Sequence, residues 1–212
     1  MKKIICLMTA LFLFVAAFPG EKAARAEENN SAKEYVFEAE WSDCIEELAG
    51  FDYSGTISGL DMIQKDYYDK QASNGFYVTG LYGEGLALRY VIRSDRHVED
   101  AILSVRLSAE YMDIVISPSN YTISINGNSL SYRPIKLVNV PVSERSNMLE
   151  FQDFTLTSKL TLEEGENEII FETTNNTPMM GTMYATAPLV DCFKITTSAE
   201  LSWEPWKENT GM

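Results

Sequence analysis

The sequence predicts an all-β fold, an antiparallel sandwich or barrel, and three observations carry that expectation. Apolar and polar residues alternate with period two in one segment after another, the pattern of strands buried on one face. Clusters of Gly, Asn, Pro and acidic residues separate these segments at short intervals. The chain of 212 residues is long enough for one domain with a substantial core.

Met1-Lys2-Lys3 is a basic start, and Ile4 to Phe18 is an apolar stretch too short to span a bilayer comfortably. Ala24-Arg25-Ala26 then places small residues at cleavage spacing, so residues 1–26 read as a secretory signal, with a cut after Ala17 as the alternative. A secreted, extracellular protein with no membrane partner after cleavage is the expectation. Residues 27–33 read as a disordered stub, 34–197 as the sandwich and 198–212 as a tail or linker stub.

Within the domain, Phe37, Ala39 and Trp41 alternate with Glu38 and Glu40. Leu86, Leu88, Tyr90 and Ile92 alternate with Ala87, Arg89 and Val91. Leu103, Val105 and Leu107 form the next such strand, and Tyr121, Ile123 and Ile125 another. Asn126-Gly127 follows at once, a strong hairpin signal. Phe154 to Leu162 comes next, and Glu163-Glu164-Gly165-Glu166-Asn167 turns the chain into Glu168-Ile169-Ile170-Phe171. Leu189 to Thr196 reads as the last strand. Asp43 to Ala72 and Thr173 to Ala187 read as long loops, the first with a helical turn near Glu46; loops of that length in a compact domain are often functional.

The formal charge is −14, and a signal carrying Lys2, Lys3, Lys22 and Arg25 against Glu21 alone would leave −17 on the mature chain. Such a charge argues against nucleic acid and anionic membrane, and fits neutral or cationic ligands or bound metal ions. The mature protein is expected to be a monomer. Cys6 leaves with the signal, so Cys44 and Cys192 remain. An even count in an oxidising compartment permits one disulfide, and the alternative is two buried thiols.

Glu38-Ala39-Glu40 holds the clearest chemistry. In a strand the two glutamates would stand side by side on one face, where adjacent carboxylates resist ionisation unless a cation joins them. A hard divalent ion with oxygen ligands, above all calcium, suits that pair; a solvated polar face is the plain alternative.

The order of motifs resembles carbohydrate-binding modules of families 6 and 35. The matching pieces are Phe37-Glu38-Ala39-Glu40, then Ala72-Ser73-Asn74-Gly75-Phe76-Tyr77-Val78, Gly85 to Val91, and Val105-Arg106-Leu107-Ser108. Tyr121 to Gly127, Leu162 to Ile169 and Val190-Asp191-Cys192-Phe193-Lys194-Ile195 complete the series, which covers about residues 34 to 197. The resemblance implies a jelly-roll sandwich that binds a polysaccharide or glycan without cutting it. It also implies a structural calcium held by Glu38, Glu40 and Asp191, with a backbone carbonyl from Ser73 to Gly75. A metal that gathers both ends of the domain would bring Cys44 and Cys192 near each other.

Sugars bind through aromatic platforms and through amides or carboxylates that bond to hydroxyls. The resemblance places an aromatic platform at Phe151 and a core aromatic at Phe154; Tyr77, Tyr82, Tyr111 and Tyr184 are further candidates by position, each with a core or edge aromatic as the alternative. The family's asparagine before the terminal aspartate is replaced here by Pro188 and Leu189. Asn175 and Asn176, across an inserted loop, either substitute for it or are turn residues.

Two other function classes compete. A structural or adhesive module of a cell-surface protein would share the fold and lack a sugar site. A glycosidase needs a carboxylate pair, for which Asp113 and Asp153 show no characteristic spacing. A lyase would enlist His97, the one histidine, which lies in the polar turn Ser94 to His97, and no nucleophile elbow is present.

Overall fold

The computed structural model describes residues 31–45, 63–109, 112–139, 149–174 and 187–205. The expected signal, the turn near Glu46 and the candidates Tyr111, Asn175, Asn176 and Tyr184 lie outside these residues.

The described residues form an antiparallel β-sandwich. One sheet joins β11 (Gln152–Leu162), β6 (Val98–Ser108), β13 (Leu189–Thr197), β4 (Phe76–Thr79) and β3 (Gln64–Tyr68) in that order, with β1 (Lys33–Glu38) also pairing β13. The other joins β14 (Leu201–Trp203), β5 (Ala87–Ser94), β12 (Gly165–Thr173), β8 (Tyr121–Ile125) and β9 (Asn128–Ser129), with β2 (Asp43–Ile45) also pairing β5. A small ladder pairs β7 (Ile114–Ile116) with β10 (Ile135–Leu137).

The period-two pattern becomes the core. Leu88, Tyr90 and Ile92 of β5 and Leu103, Val105 and Leu107 of β6 are buried, while Val91 and Ile102 stand exposed on the opposite faces. Aromatic rings bridge the sheets. Phe37 of β1 stacks on Phe193 of β13 at 4.5 Å, and Phe193 meets Tyr90 of β5 edge-on at 4.7 Å and Phe171 of β12 at 5.3 Å. Such pairs contribute about 0.5–1.5 kcal/mol each beyond the area they bury. The Asn126-Gly127 hairpin forms as expected: Ile125 pairs Asn128, and φ is +51° and +75° at the two turn residues, as a two-residue turn of this hand requires.

Three sequence expectations need correction. The stretch Asp43 to Ala72, read as a loop, contains β2 and β3, whose sequences Asp-Cys-Ile and Gln-Lys-Asp-Tyr-Tyr are too short or too polar to show a period. The last strand is not β13, because Leu201–Trp203 of the expected tail pairs with β5 and Trp203 packs against the core. The third is local to the glutamates. β1 ends at Glu38 and Ala39–Trp41 makes a single 3-10 turn, so Glu38 and Glu40 do not share a strand face. Ser42 closes this turn with both its N–H (3.1 Å) and its hydroxyl (2.7 Å) on the Ala39 carbonyl.

Candidate metal and ligand site

The site begins with an irregularity in β13. Val190 pairs Leu107 of β6 and Cys192 pairs Arg106, so Asp191 and Cys192 together oppose a single residue. This is a β-bulge, which re-aims side chains where it occurs. Cys192 also pairs Glu38 across β1, and directly paired residues share a sheet face. The bulge thus brings the start of the domain, its late strand and β6 together at Glu38, Asp191, Cys192 and Arg106. A carboxylate oxygen of Glu38, one of Asp191 and the Cys192 sulfur lie within 4.8 Å of one another.

The loop after β3 supplies the fourth wall. It is held by its own turns: Asp69 N–H donates to the Gly75 carbonyl at 3.0 Å, and Gly75 N–H to the Ala72 carbonyl at 3.1 Å. The Asp69 carboxylate, itself buried, accepts from Leu149 N–H at 2.7 Å and Gln71 N–H at 2.8 Å, which ties the loop to the segment before β11. Gly75 is at φ +82°, a conformation that strains any other residue, and a Cβ there would also crowd the Tyr68 ring at 3.1 Å.

From this loop Ser73 N–H (2.9 Å) and its hydroxyl (2.8 Å) bond to Asp191 Oδ1, the hydroxyl also lies 2.6 Å from Glu38 Oε2, and Asn74 Nδ2 donates to Glu40 Oε1 at 2.8 Å. Ser73 and Asn74 therefore meet the carboxylates with donors, where the resemblance implies a carbonyl; the Gly75 carbonyl is taken by Asp69. Arg106 adds its Nε to Asp191 Oδ2 at 2.7 Å. Its other nitrogens donate to Asp153 (2.9 Å) and the Gln71 carbonyl (3.0 Å), and Lys194 holds the far oxygen of Asp153 at 2.8 Å.

Burial raises the pKa of all three carboxyls. Glu38 goes up through burial, against the Ser73 bond, with the charges of Glu40 and Asp191 adding to the rise. Glu40 goes up through burial, against the Asn74 bond, with Asp191 again adding. Asp191, with no exposed surface, goes up through burial although Ser73 and Arg106 pull the other way. Asp153 ends below the usual range: burial opposes this, but Lys194 and Arg106 together outweigh it. Glu40 Oε2 is buried and makes no hydrogen bond.

The close carboxylates of Glu38 and Asp191, the Ser73 hydroxyl between them and, on Glu40, one buried oxygen without a hydrogen bond are oxygen donors of the kind that fits a hard cation such as calcium. The sulfur nearby does not change that. Burial, then Asp191, pushes the Cys192 thiol up to about 12, and a soft sulfur is not a donor that a hard cation such as calcium prefers.

The expected disulfide is absent. Neither Cys44 nor Cys192 is in a disulfide. Cys44 pairs Leu88 and packs against the main core, whereas Cys192 belongs to the face of the other sheet that carries Glu38 and Arg106.

The expected sugar platforms do not present open faces. Phe151 is 8% exposed and lies in a small cluster with Tyr77, Ala72, Leu149 and Leu189, its ring 5.5 Å from Tyr77. Tyr82 is half-buried against the main core with its hydroxyl 3.0 Å from Thr79 Oγ1. Phe154 packs against the core, as the resemblance implies. The most exposed aromatics among the described residues are Trp41, Tyr67, Tyr68 and Phe76. The sequence reading missed them as candidates, along with Arg106. Trp41 could have been flagged as a large aromatic adjoining the acidic motif, but Arg106 carries no local signal, because its partners lie on three other elements.

No protein-family profile matches the sequence, and no curated protein does. Solved structures do. A GH26-CBM35 β-(1,4)-mannanase from Podospora anserina is 17% identical with a TM-score of 0.50, and the match covers 79% of this chain and 28% of that one. A native family 35 carbohydrate-binding module from Clostridium thermocellum is 13% identical with a TM-score of 0.48, covering 77% of this chain and 98% of that one. A cycloalternan-forming enzyme from Listeria monocytogenes is 17% identical with a TM-score of 0.49, covering 76% and 12%. This chain thus spans little more than a quarter of the mannanase chain. The likenesses are of fold, and the chains that it is similar to include family 35 carbohydrate-binding modules and a mannanase that carries one.

Proposed function

We propose that this protein is a secreted, non-catalytic carbohydrate-binding module, stabilised by one calcium ion, whose partner is a polysaccharide or glycan. The observation that carries the reading is the meeting of Glu38, Glu40 and Asp191. These are the acidic ends of the motif series that resembles carbohydrate-binding modules; Glu38 and buried Asp191 hold carboxylate oxygens within 4.8 Å of each other, and Glu40, held by Asn74 beside Ser73, keeps one buried oxygen without a hydrogen bond. The sandwich around them is similar in fold to the mannanase chain. Calcium would be held by the three carboxylates and the Ser73 hydroxyl. Its role would be structural, joining β1 to β13 and the loop after β3, and it would supply the positive charge that Glu40 Oε2 lacks. Arg106 would keep its hold on Asp191 and Asp153 from the far side.

A second reading has its own support. Phe151 and Tyr82, the expected platforms, are turned into the protein, which favours a structural or adhesive module that binds no sugar. Affinity electrophoresis of the mature protein in a panel of polysaccharide gels, with calcium and with chelator, separates the two. Retardation in at least one gel supports the sugar reading, and migration unchanged across a broad panel with calcium present leaves the structural module.

A further inference from the structure

The outer edge of β5 is shared by two short strands that do not meet. β2 pairs as far as Arg89 and β14 ends opposite Ile92, which leaves Tyr90 and Val91 without a neighbour from either. Trp41, on the turn before β2, and Trp203, ending β14, flank this gap. A hollow of about 220 Å³ lies there, lined by the two indoles, the Tyr90–Val91 edge, Asp43, Arg89 and Glu204. We propose that this hollow binds a single neutral pyranose unit of a polysaccharide chain. The inference rests on the reading that the protein binds carbohydrate and assigns that binding to a place no expected candidate occupies.

The geometry suits one sugar ring. The indoles are 6.3 Å apart and tilted 32° to each other, too close to sandwich a ligand, so they form one continuous apolar wall. Trp203 is braced from below by Phe37 at 5.4 Å and Tyr90 at 5.8 Å. Trp41 is 42% exposed on a turn held by two bonds to the Ala39 carbonyl, so a fixed stretch of backbone presents its indole to water. Exposing the largest apolar side chain is unfavourable for the fold alone, and a sugar's C–H face would cover it. The volume is below the roughly 300 Å³ at which drug-sized pockets begin, room for a ring and not for a folded oligosaccharide.

The polar lining selects for neutrality. Arg89 is neutralised in place: its Nε donates to Glu168 at 2.7 Å and its Nη1 lies 3.5 Å from Asp43. What remains for a ligand is the outer side of Asp43 and the Glu204 carboxylate, acceptors for hydroxyl groups that would repel a uronate. Trp203 and Glu204 lie past the stretch that resembles the two families, so that resemblance does not supply this site.

The test is affinity electrophoresis of the mature protein, with calcium, in neutral polysaccharides (mannan, xylan, β-glucan, galactan) and in polygalacturonate. Tryptophan fluorescence titration follows with whichever neutral polymer retards it. Binding to a neutral polymer with a fluorescence change is expected. Trp41→Ala should weaken it at least tenfold with little change in the melt, and Glu204→Gln by a smaller factor. If Trp41→Ala does not fold, Glu204→Gln and the fluorescence change decide alone. If the intact protein binds and the folded variants bind equally well, the hollow is not the site while the carbohydrate reading stands. Preference for polygalacturonate overturns the neutral ligand, and no binding to any polymer overturns both readings.

Discussion

Replacing Glu40 with Gln separates the calcium reading from a purely structural acidic cluster, because the two predict different signs. The buried Glu40 Oε2 makes no hydrogen bond, and burial holds the carboxyl pKa up. Ionised at neutral pH, it costs stability that a neutral amide of the same shape does not cost. With chelator present, Glu40→Gln should therefore melt no lower than the parent. With calcium the order reverses. Extracellular calcium modules bind with Kd of about 10⁻⁴–10⁻³ M, so 10 mM calcium is about 10 to 100 times Kd and stabilises by about 1.4–2.7 kcal/mol. For a domain of this size each kcal/mol moves Tm by about 2–4 °C, giving a rise of about 3–11 °C in the parent. The variant, with one carboxylate fewer, should lose most of that rise. Differential scanning fluorimetry of both proteins with chelator and across a calcium series is the assay. A parent indifferent to calcium, or a variant with the full rise, refutes the site.

Glu38, Glu40 and Asp191 all have raised pKa values, so their joint contribution to stability is present below the unfolded values near 4 and is lost as pH rises through the folded ones. The metal-free protein should gain stability, relative to a Glu38→Gln/Glu40→Gln variant, as pH falls from 7 towards 4.5. The calcium-induced rise should shrink over the same interval as protons compete, and equal pH slopes in parent and variant would remove the raised carboxyls from the account. Thiol titration of the denatured, unreduced mature protein should find two sulfhydryls, and Cys192 in the native state should react far more slowly than Cys44; no titratable thiol would restore the bridge. Asn167 is fully buried, accepts from Glu163 N–H at 2.9 Å and donates to the Glu163 carbonyl at 2.8 Å. Asn167→Ala should cost about 2–3 kcal/mol in denaturant melts by stranding these groups, and a loss under 0.5 kcal/mol would show that water replaces the side chain.

The sequence by itself determined the fold class and most of the frame. Alternation over Leu86 to Ile92, Leu103 to Leu107 and Tyr121 to Ile125 is a local signal, because each residue's face follows from its own parity, and Asn126-Gly127 is local for the same reason. The acidic residues near both ends of the domain were legible as a pair of motifs. How they meet was not. Strand parity would have set Glu38 beside Glu40, and instead a 3-10 turn follows Glu38 and a bulge in β13 swings Asp191 and Cys192 to one side. A bulge depends on the register between β13 and β6, which lie more than eighty residues apart in the chain. Arg106 enters the site for that reason alone. The same physics decides the aromatics. Phe151 and Trp41 look alike in sequence, one large ring beside an acidic residue, and which is buried depends on what packs over it. Leu149, Tyr77 and Leu189 close over Phe151, while β2 and β14 stop short of each other and leave Trp41 facing water. Side-chain parity belongs to the residue, but burial at a sheet edge belongs to the partner strand, and only the tertiary structure brings that partner into place.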